Sequence, residues 1–165
     1  MPTSTSSPPA LRVRPVATEA DWAEARRVRT RVFIEEQACP PEEEWDAHDA
    51  PEARGVATRH LLGEAGGAVV AVSRWRPVMH EGAPAAKLER FAVLPAYRGC
   101  GHGRTMIAQT LAEARAAGFT AFVLHAQAPL EGLYASFGFR RVGAPFEQSV
   151  QLHTLEDARH VALGA

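Results

Sequence analysis

The alternation of apolar and polar residues along the N-terminal half of the chain predicts four strands and one helix. Residues 11–16 alternate in this way and are typical of a half-buried strand. Apolar side chains from Trp22 to Phe33 recur every three or four positions, which predicts a helix over about residues 19–34. The other three strands are predicted at about 56–64, 67–76 and 86–94, the first two joined by a hairpin at Gly66-Gly67.

The C-terminal half adds two helices and three strands. A helix with one apolar face follows Gly103 and ends at Gly118, and the apolar run 119–126 is typical of a buried central strand. A short amphipathic helix follows, with an apolar stripe that begins at Leu130. The last two strands are predicted near 139–143 and 146–153. The order β-α-loop-β-β-β-α-β-α-β-β predicts a mixed α/β fold, with helices packed on a mostly continuous sheet.

The length of 165 residues fits a single domain, which we expect at 11–155 between a flexible leader at 1–10 and a C-terminal tail at 156–165. A net charge of −1 argues against a charge-driven nucleic-acid partner. No apolar run approaches the roughly 18 residues of a membrane helix, and the leader has no secretory signal, so we expect a cytoplasmic protein without membrane contact. Seven histidines and two cysteines lack metal-ligand spacing, so no metal site is expected.

A glycine-rich turn between a strand and a helix is the most informative segment of the sequence. Gly99, Gly101 and Gly103 allow the backbone to approach a ligand closely, and the first N–H groups of the following helix attract an anion. Arg98 and Arg104 flank the turn and can pair with phosphate oxygens. The spacing matches neither a Walker loop nor a dinucleotide fingerprint. The turn predicts a phosphate site of another kind, or a loop that only starts a helix.

Two motifs give the chain a family resemblance. The turn, Arg98-Gly-Cys-Gly-His-Gly103, fits the Arg/Gln-x-x-Gly-x-Gly/Ala signature of the Gcn5-related N-acetyltransferases (GNAT). The segment Leu133-Tyr-Ala-Ser-Phe-Gly-Phe139 is similar to the late helix of that family, where a Tyr precedes Gly-Phe. A third segment, Arg31-Val-Phe-Ile-Glu-Glu-Gln-Ala-Cys-Pro40, resembles the ElaA-like branch.

The resemblance implies a central, mostly antiparallel, twisted sheet of about six to seven strands with about four flanking helices, splayed in the middle to hold acetyl-CoA. It implies transfer of an acetyl group from acetyl-CoA to the primary amine of a small molecule or peptide. The alternative is a non-catalytic acyl-CoA-binding or sensory domain. A homodimer is left open.

The residues expected to bind the cofactor lie on the turn and on the strand before it. In the family, the edge of that strand pairs with the pantetheine amides, and a backbone N–H such as that of Val93 can stabilise the charge on the thioester oxygen. The expected cofactor-binding residues are Phe91, Ala92, Val93, Arg98, Gly99, Cys100, Gly101, His102, Gly103 and Arg104.

Three residues are candidates for the proton transfers. Tyr134 matches the family position that protonates the leaving thiolate, although it also lies on the apolar stripe of its helix. An attacking amine must first lose a proton, and a carboxylate can accept it. Glu36 in the ElaA-like segment and Glu89 on the cofactor strand are equal candidates for this base, and either could instead be a structural residue.

The acceptor side is predicted from a few polar residues. Glu36, His125, Gln127 and His153 are the expected substrate-binding residues, although a strand histidine is more often structural. Residues 35–49 contain seven carboxylates and no Lys or Arg. Such a run is either a solvated face or, at the border of the cleft, an attraction for a cationic acceptor. We therefore expect a cationic amine as the acceptor.

Overall fold

The computed structural model describes residues 7–142 and 149–155, which form one seven-stranded sheet with helices on both faces. The strand order is β1-β2-β3-β4-β5-β7-β6. The strands are β1 (Arg12–Pro15), β2 (Arg59–Ala65), β3 (Ala68–His80), β4 (Ala83–Val93), β5 (Ala121–Gln127), β6 (Arg140–Arg141) and β7 (Ser149–Leu155). The predicted mixed α/β fold and its element order are confirmed. Residues 1–6 of the expected leader and the expected tail at 156–165 lie outside the described residues.

Four α-helices accompany the sheet: α1 (Glu19–Arg29), α2 (Pro41–Glu44), α3 (His102–Ala116) and α4 (Glu131–Ala135). Helix α1 begins with a capping box between Thr18 and Asp21, because each side chain accepts a hydrogen bond from the other residue's backbone N–H. The predicted continuation to residue 34 is π-helical, over Thr30–Glu36. Short 3-10 turns lie at Ala47–Asp49, Pro95–Tyr97 and Ala128–Leu130.

The two faces of the sheet bury separate apolar clusters. Helix α3 places Ile107 and Leu111 against Trp75 and Phe122, in a cluster that also contains Tyr134 of α4. Helix α1 packs on the opposite face through apolar side chains of its own stripe. That second cluster contains Trp22, Ala25, Val28, Val32, Leu62, Val69, Val72 and Ala92. The helical spacing of Trp22, Ala25 and Val28 therefore determines which side of α1 meets the sheet.

The sheet opens between β4 and β5. These neighbours are the one parallel pair among the described strands, and they share only two register positions, Ala86 with Phe122 and Lys87 with Val123. A bulge in β4 follows, where Arg90 has a positive φ of 58° and the register with β3 shifts. Beyond Lys87, the edge of β4 therefore borders a cleft instead of pairing with β5.

Within the described part of the chain, no helix has the length and apolar character needed to cross a membrane.

Candidate active site

The opening between β4 and β5 contains two adjoining cavities. The turn-side cavity, of about 530 Å³, is bordered by the glycine-rich turn and by Phe91, Ala92 and Val93 of β4. The fork-side cavity, of about 320 Å³, lies where the strands diverge and is bordered by residues 87–91 and 124–127. Both cavities are lined by Gln37, Phe91, Gln127, Leu130 and Tyr134. A molecule in one cavity therefore meets a molecule in the other beside these five side chains.

The glycine-rich turn forms an open, concave end of the turn-side cavity. Gly99 and Gly101 have φ values of 83° and 90°, a region that favours glycine, and Gly101 is the N-cap of α3. Gly103 has ordinary helical backbone, yet a Cβ added there would meet no protein atom within 4 Å. The empty space over Gly103 and the first N–H groups of α3 fit a phosphate-bearing ligand.

Arg98 is already engaged by protein groups at the turn. Its Nε donates to the Val93 carbonyl oxygen at 2.9 Å, and its two terminal nitrogens donate to the Glu36 carboxylate at 2.9 and 2.6 Å. The guanidinium holds the pKa of Glu36 below its usual range. Glu36 is thus a partner of the turn and does not line the fork-side cavity, where an acceptor base would be needed.

The other predicted turn residues divide into two groups. His102, the first residue of α3, is buried, with 5% of its surface exposed, and it lines the turn-side cavity. Cys100 and Arg104 do not line it: the Cys100 thiol donates to the Tyr97 carbonyl oxygen at 3.2 Å, and Arg104 donates to Ser136 at 3.1 Å. Arg104 therefore links the start of α3 to the end of α4 and does not extend into the cavity.

Tyr134 lies at the junction of the two cavities. Its ring packs against Phe91 and Phe139, with centroid distances of 6.2 and 6.1 Å, and the residue is 6% exposed. Burial raises the pKa of Tyr134 to about 12, so its hydroxyl stays protonated at neutral pH. The hydroxyl is therefore a proton donor at the point where the cavities meet.

Glu89 is held in a buried ion pair. Its carboxylate accepts from Arg74 and, at 2.8 Å, from Arg76, while the Glu89 side chain is 9% exposed. Burial alone would raise its pKa, but the two arginines, chiefly Arg74, keep the pKa below its usual range. A carboxylate that is so strongly stabilised in its charged form is a weak proton acceptor.

The predicted substrate-binding residues on β5 do meet the cleft. His125 lines the fork-side cavity, and partial burial, with a contribution from Lys87, lowers its pKa so that it is neutral at pH 7. Gln127 donates to the Gln37 side-chain oxygen at 3.1 Å, a hydrogen bond that spans the cleft. His153 stands opposite Val123 in the register of β5 and β7, but its side chain lies outside the described part of the structure.

The acidic segment 35–49 is largely neutralised by arginines. Five of its seven carboxylates form ion pairs with Arg29, Arg31, Arg74 or Arg98. Glu44 and Asp49, for example, contact Arg29 at 2.7 and 2.6 Å, and all three are nearly inaccessible to solvent. Only Glu42 and Glu43 show no such pair among the described residues. These two carboxylates are therefore the unpaired charges of the segment that could attract a cationic acceptor, which stays a prediction.

Several residues that line the cleft are not among the site residues predicted from the sequence. Gln37 lies within the segment that resembles the ElaA-like branch, and Leu130 begins the apolar stripe of the late helix, so both had a signal. Lys87 and Arg90 line the fork-side cavity because of the strand divergence and the bulge, neither of which the sequence pattern predicts.

Comparisons with known proteins agree with this architecture. The sequence profile of the acetyltransferase (GNAT) family matches residues 20–139. A Bacillus subtilis (strain 168) protein, provisionally described as an acetyltransferase, is 32% identical over 136 residues, which are 82% of this chain and 88% of that protein. The crystal structure of Escherichia coli ElaA has the same fold, with a TM-score of 0.75 and 24% identity over 87% of this chain and 99% of that chain.

A third similar protein was solved with a ligand. It is a GNAT family acetyltransferase from Brucella melitensis in complex with acetyl-CoA, with a TM-score of 0.67 and 28% identity over 87% of this chain and 95% of that chain. Because the profile extends over most of the sequence and a relative shares 32% identity along 82% of it, the chain belongs to the GNAT acetyltransferase family.

Proposed function

We propose that this protein is an acetyl-CoA-dependent N-acetyltransferase that acts on a primary amine. The observation that carries the proposal is the opening between β4 and β5, where the turn-side and fork-side cavities meet at Tyr134. Two cavities with a shared junction suit a reaction between two bound molecules. The acetyl-CoA complex of the Brucella melitensis relative supports the choice of acyl donor.

The turn-side cavity would hold acetyl-CoA. The first N–H groups of α3 would bind the diphosphate over Gly101 and Gly103, where no side chain fills the space. The free edge of β4 at Phe91–Val93 would pair with the pantetheine amides as an added strand would. This arrangement aims the thioester toward Tyr134 and the fork-side cavity.

The proposed reaction forms one amide bond and breaks one thioester bond. The neutral amine in the fork-side cavity attacks the acetyl carbon with its nitrogen lone pair, and the carbon–sulfur bond breaks. Tyr134 gives its hydroxyl proton to the leaving thiolate and regains a proton from water. A backbone N–H such as that of Val93 would stabilise negative charge on the thioester oxygen.

The amine nitrogen must also lose a proton. Glu36 and Glu89 have depressed pKa values and are bound to arginines, so both are poor acceptors. The imidazole of His125 lines the fork-side cavity and is neutral at pH 7. We therefore favour His125, directly or through water, as the group that receives this proton.

The release of CoA thiol in the presence of amines tests this function. Tyr134→Phe should lower kcat by about 10²-fold, the usual contribution of a general acid, while leaving the affinity for CoA unchanged. Tyr97→Phe is the matched control, because Tyr97 is the other tyrosine of the chain and lines neither cavity. Undiminished turnover by Tyr134→Phe would contradict the role of Tyr134. Tight acetyl-CoA binding without turnover of any amine would support the non-catalytic alternative.

A further inference from the structure

Lys87 is the only lysine of the chain, and it lines the fork-side cavity. It stands at the last register position that β4 shares with β5, opposite Val123, and faces Arg76 across the β3–β4 pair. The strand divergence begins directly after it. Lys87 is therefore at the inner end of the cavity that we assign to the amine, on the same strand as the residues at the thioester end.

The carboxylates of this cavity are already matched by arginines. Glu44 contacts Arg29 at 2.7 Å and Arg90 at 3.4 Å, and Glu89 contacts Arg74 and Arg76. Both carboxylates are less than 10% exposed. Each carboxylate therefore has two arginine partners, and Glu89 also attracts Lys87 without a direct contact.

The positive and negative charges of the ion pairs around the cavity are equal in number without Lys87. Four arginines and four carboxylates form one connected set, in which Asp46 and Asp49 each contact Arg74 at 2.9 and 3.1 Å. The complete set is Arg29, Arg74, Arg76, Arg90, Glu44, Asp46, Asp49 and Glu89. Among the described residues, the Lys87 ammonium forms no hydrogen bond or ion pair of its own, so Lys87 adds one positive charge to a set of side chains that is balanced without it.

We propose that Lys87 binds a carboxylate group of the acceptor, so that the acceptor is a small amino acid-like molecule with an amine at one end and a carboxylate at the other. The inference rests on the proposed acetyl transfer and names the substrate class of the same site. The carboxylate lies at Lys87, and the amine lies at the Tyr134 junction. A cavity of about 320 Å³ suits a small molecule of this kind.

The surroundings of Lys87 support this assignment. Partial burial lowers the pKa of Lys87, because an ammonium that has lost water is less stable, and the attraction of Glu89 offsets only part of this effect. A carboxylate ligand supplies a direct counter-ion and a charge-assisted hydrogen bond. A purely cationic amine would gain nothing from Lys87 and would be repelled by it.

The test compares amines that carry a carboxylate with the same amines in which that carboxylate is an uncharged amide. Glycine, β-alanine and γ-aminobutyrate would be measured against the corresponding amides, with CoA release as the readout. We expect the wild-type protein to show a lower KM for at least one carboxylate than for its amide, by about ten- to a hundredfold, the range of a hydrogen bond to a charged group. Lys87→Met should remove this preference by raising the KM of the carboxylate alone, while Lys87→Arg should retain it.

A KM for every amide that is equal to or lower than that of its carboxylate in the wild-type protein, or an unchanged preference in Lys87→Met, would overturn the role of Lys87 and leave acetyl transfer standing. Loss of activity toward carboxylates and amides alike in Lys87→Met would show a structural role only and would also overturn the inference. No CoA release with any amine would refute the proposed function itself.

Discussion

Replacement of Gly103 by valine should separate acetyl-CoA binding from folding. The backbone of Gly103 is ordinary helix, and a Cβ there meets no protein atom within 4 Å, so the fold has room for a side chain. In a helix, valine and glycine differ in propensity by about 0.5 kcal/mol or less, which is about 1–2 °C in the melting temperature of a domain of this size. The same side chain would occupy the space that we assign to the diphosphate.

The expected loss of binding follows from the hydrogen bonds at the turn. If valine keeps the diphosphate from even one backbone N–H of α3, the cost is about 1.5–3 kcal/mol, the range for a hydrogen bond to a charged group. The Kd for CoA should then rise by about ten- to a hundredfold. Isothermal titration calorimetry with CoA and a thermal melt of the same sample measure both quantities.

Two variants serve as controls. Gly103→Ala adds one methyl group that the family signature accepts, so it should bind CoA nearly as the wild-type protein does. Gly132→Val places the same side chain on α4, again with no protein atom within 4 Å of the Cβ and away from both cavities. If Gly103→Val bound CoA with wild-type affinity, the turn-side cavity would not be the diphosphate site.

Two further predictions concern charged groups. Glu36→Gln should leave kcat close to the wild-type value, with Glu35→Gln as the neighbouring control, whereas a fall of about 10²-fold or more would identify Glu36 as the base. The pKa of His60 is lowered by burial to about 4, and its Nε2 lies 3.0 Å from the His48 carbonyl oxygen. Because the unfolded chain binds this proton more readily, the contribution is present above about pH 6.5 and is lost as the pH falls toward 4. Urea unfolding should show a loss of about 2 kcal/mol from pH 7 to pH 5, reduced in His60→Gln; an equal slope in both proteins would show that His60 is not the cause.

Local patterns were enough to predict the element order. The apolar stripe of α1 and the continuous apolar run of β5 depend on burial of one face or of both faces, and each pattern is visible in a short window of sequence. The glycine-rich turn was found in the same way, because positive φ at Gly99 and Gly101 is a local requirement. These elements can therefore be predicted without knowledge of contacts between residues that are far apart in the sequence.

The interior of the cleft depends on contacts that no short window contains. Glu36 meets Arg98 across 62 sequence positions, and Glu89 meets Arg74 across 15. The sequence leaves each carboxylate open as a base or as a structural residue, and which arginine it pairs with becomes apparent only once the strands are placed. The bulge at Arg90 likewise arises from the register with β3.

The structure also explains where the charges of the acidic segment lie. Arg29 and Arg74 are each 1% exposed, although arginine is ordinarily a surface residue. They pair with the acidic segment inside the domain, so its carboxylates are part of the protein's own ion-pair network. Composition alone could not distinguish this network from an acidic surface that attracts a cationic acceptor.

Acetyl transfer itself is tested most directly by measuring both products of one reaction. The wild-type protein would be incubated with acetyl-CoA and the amino acid and amide panel, and the released CoA thiol and the acetylated amine would be quantified together, the latter by mass spectrometry. We expect equal amounts of the two products, formed only when protein and amine are both present. Binding of acetyl-CoA without formation of acetylated amine, or release of CoA thiol without formation of acetylated amine, would contradict acetyl transfer to an amine.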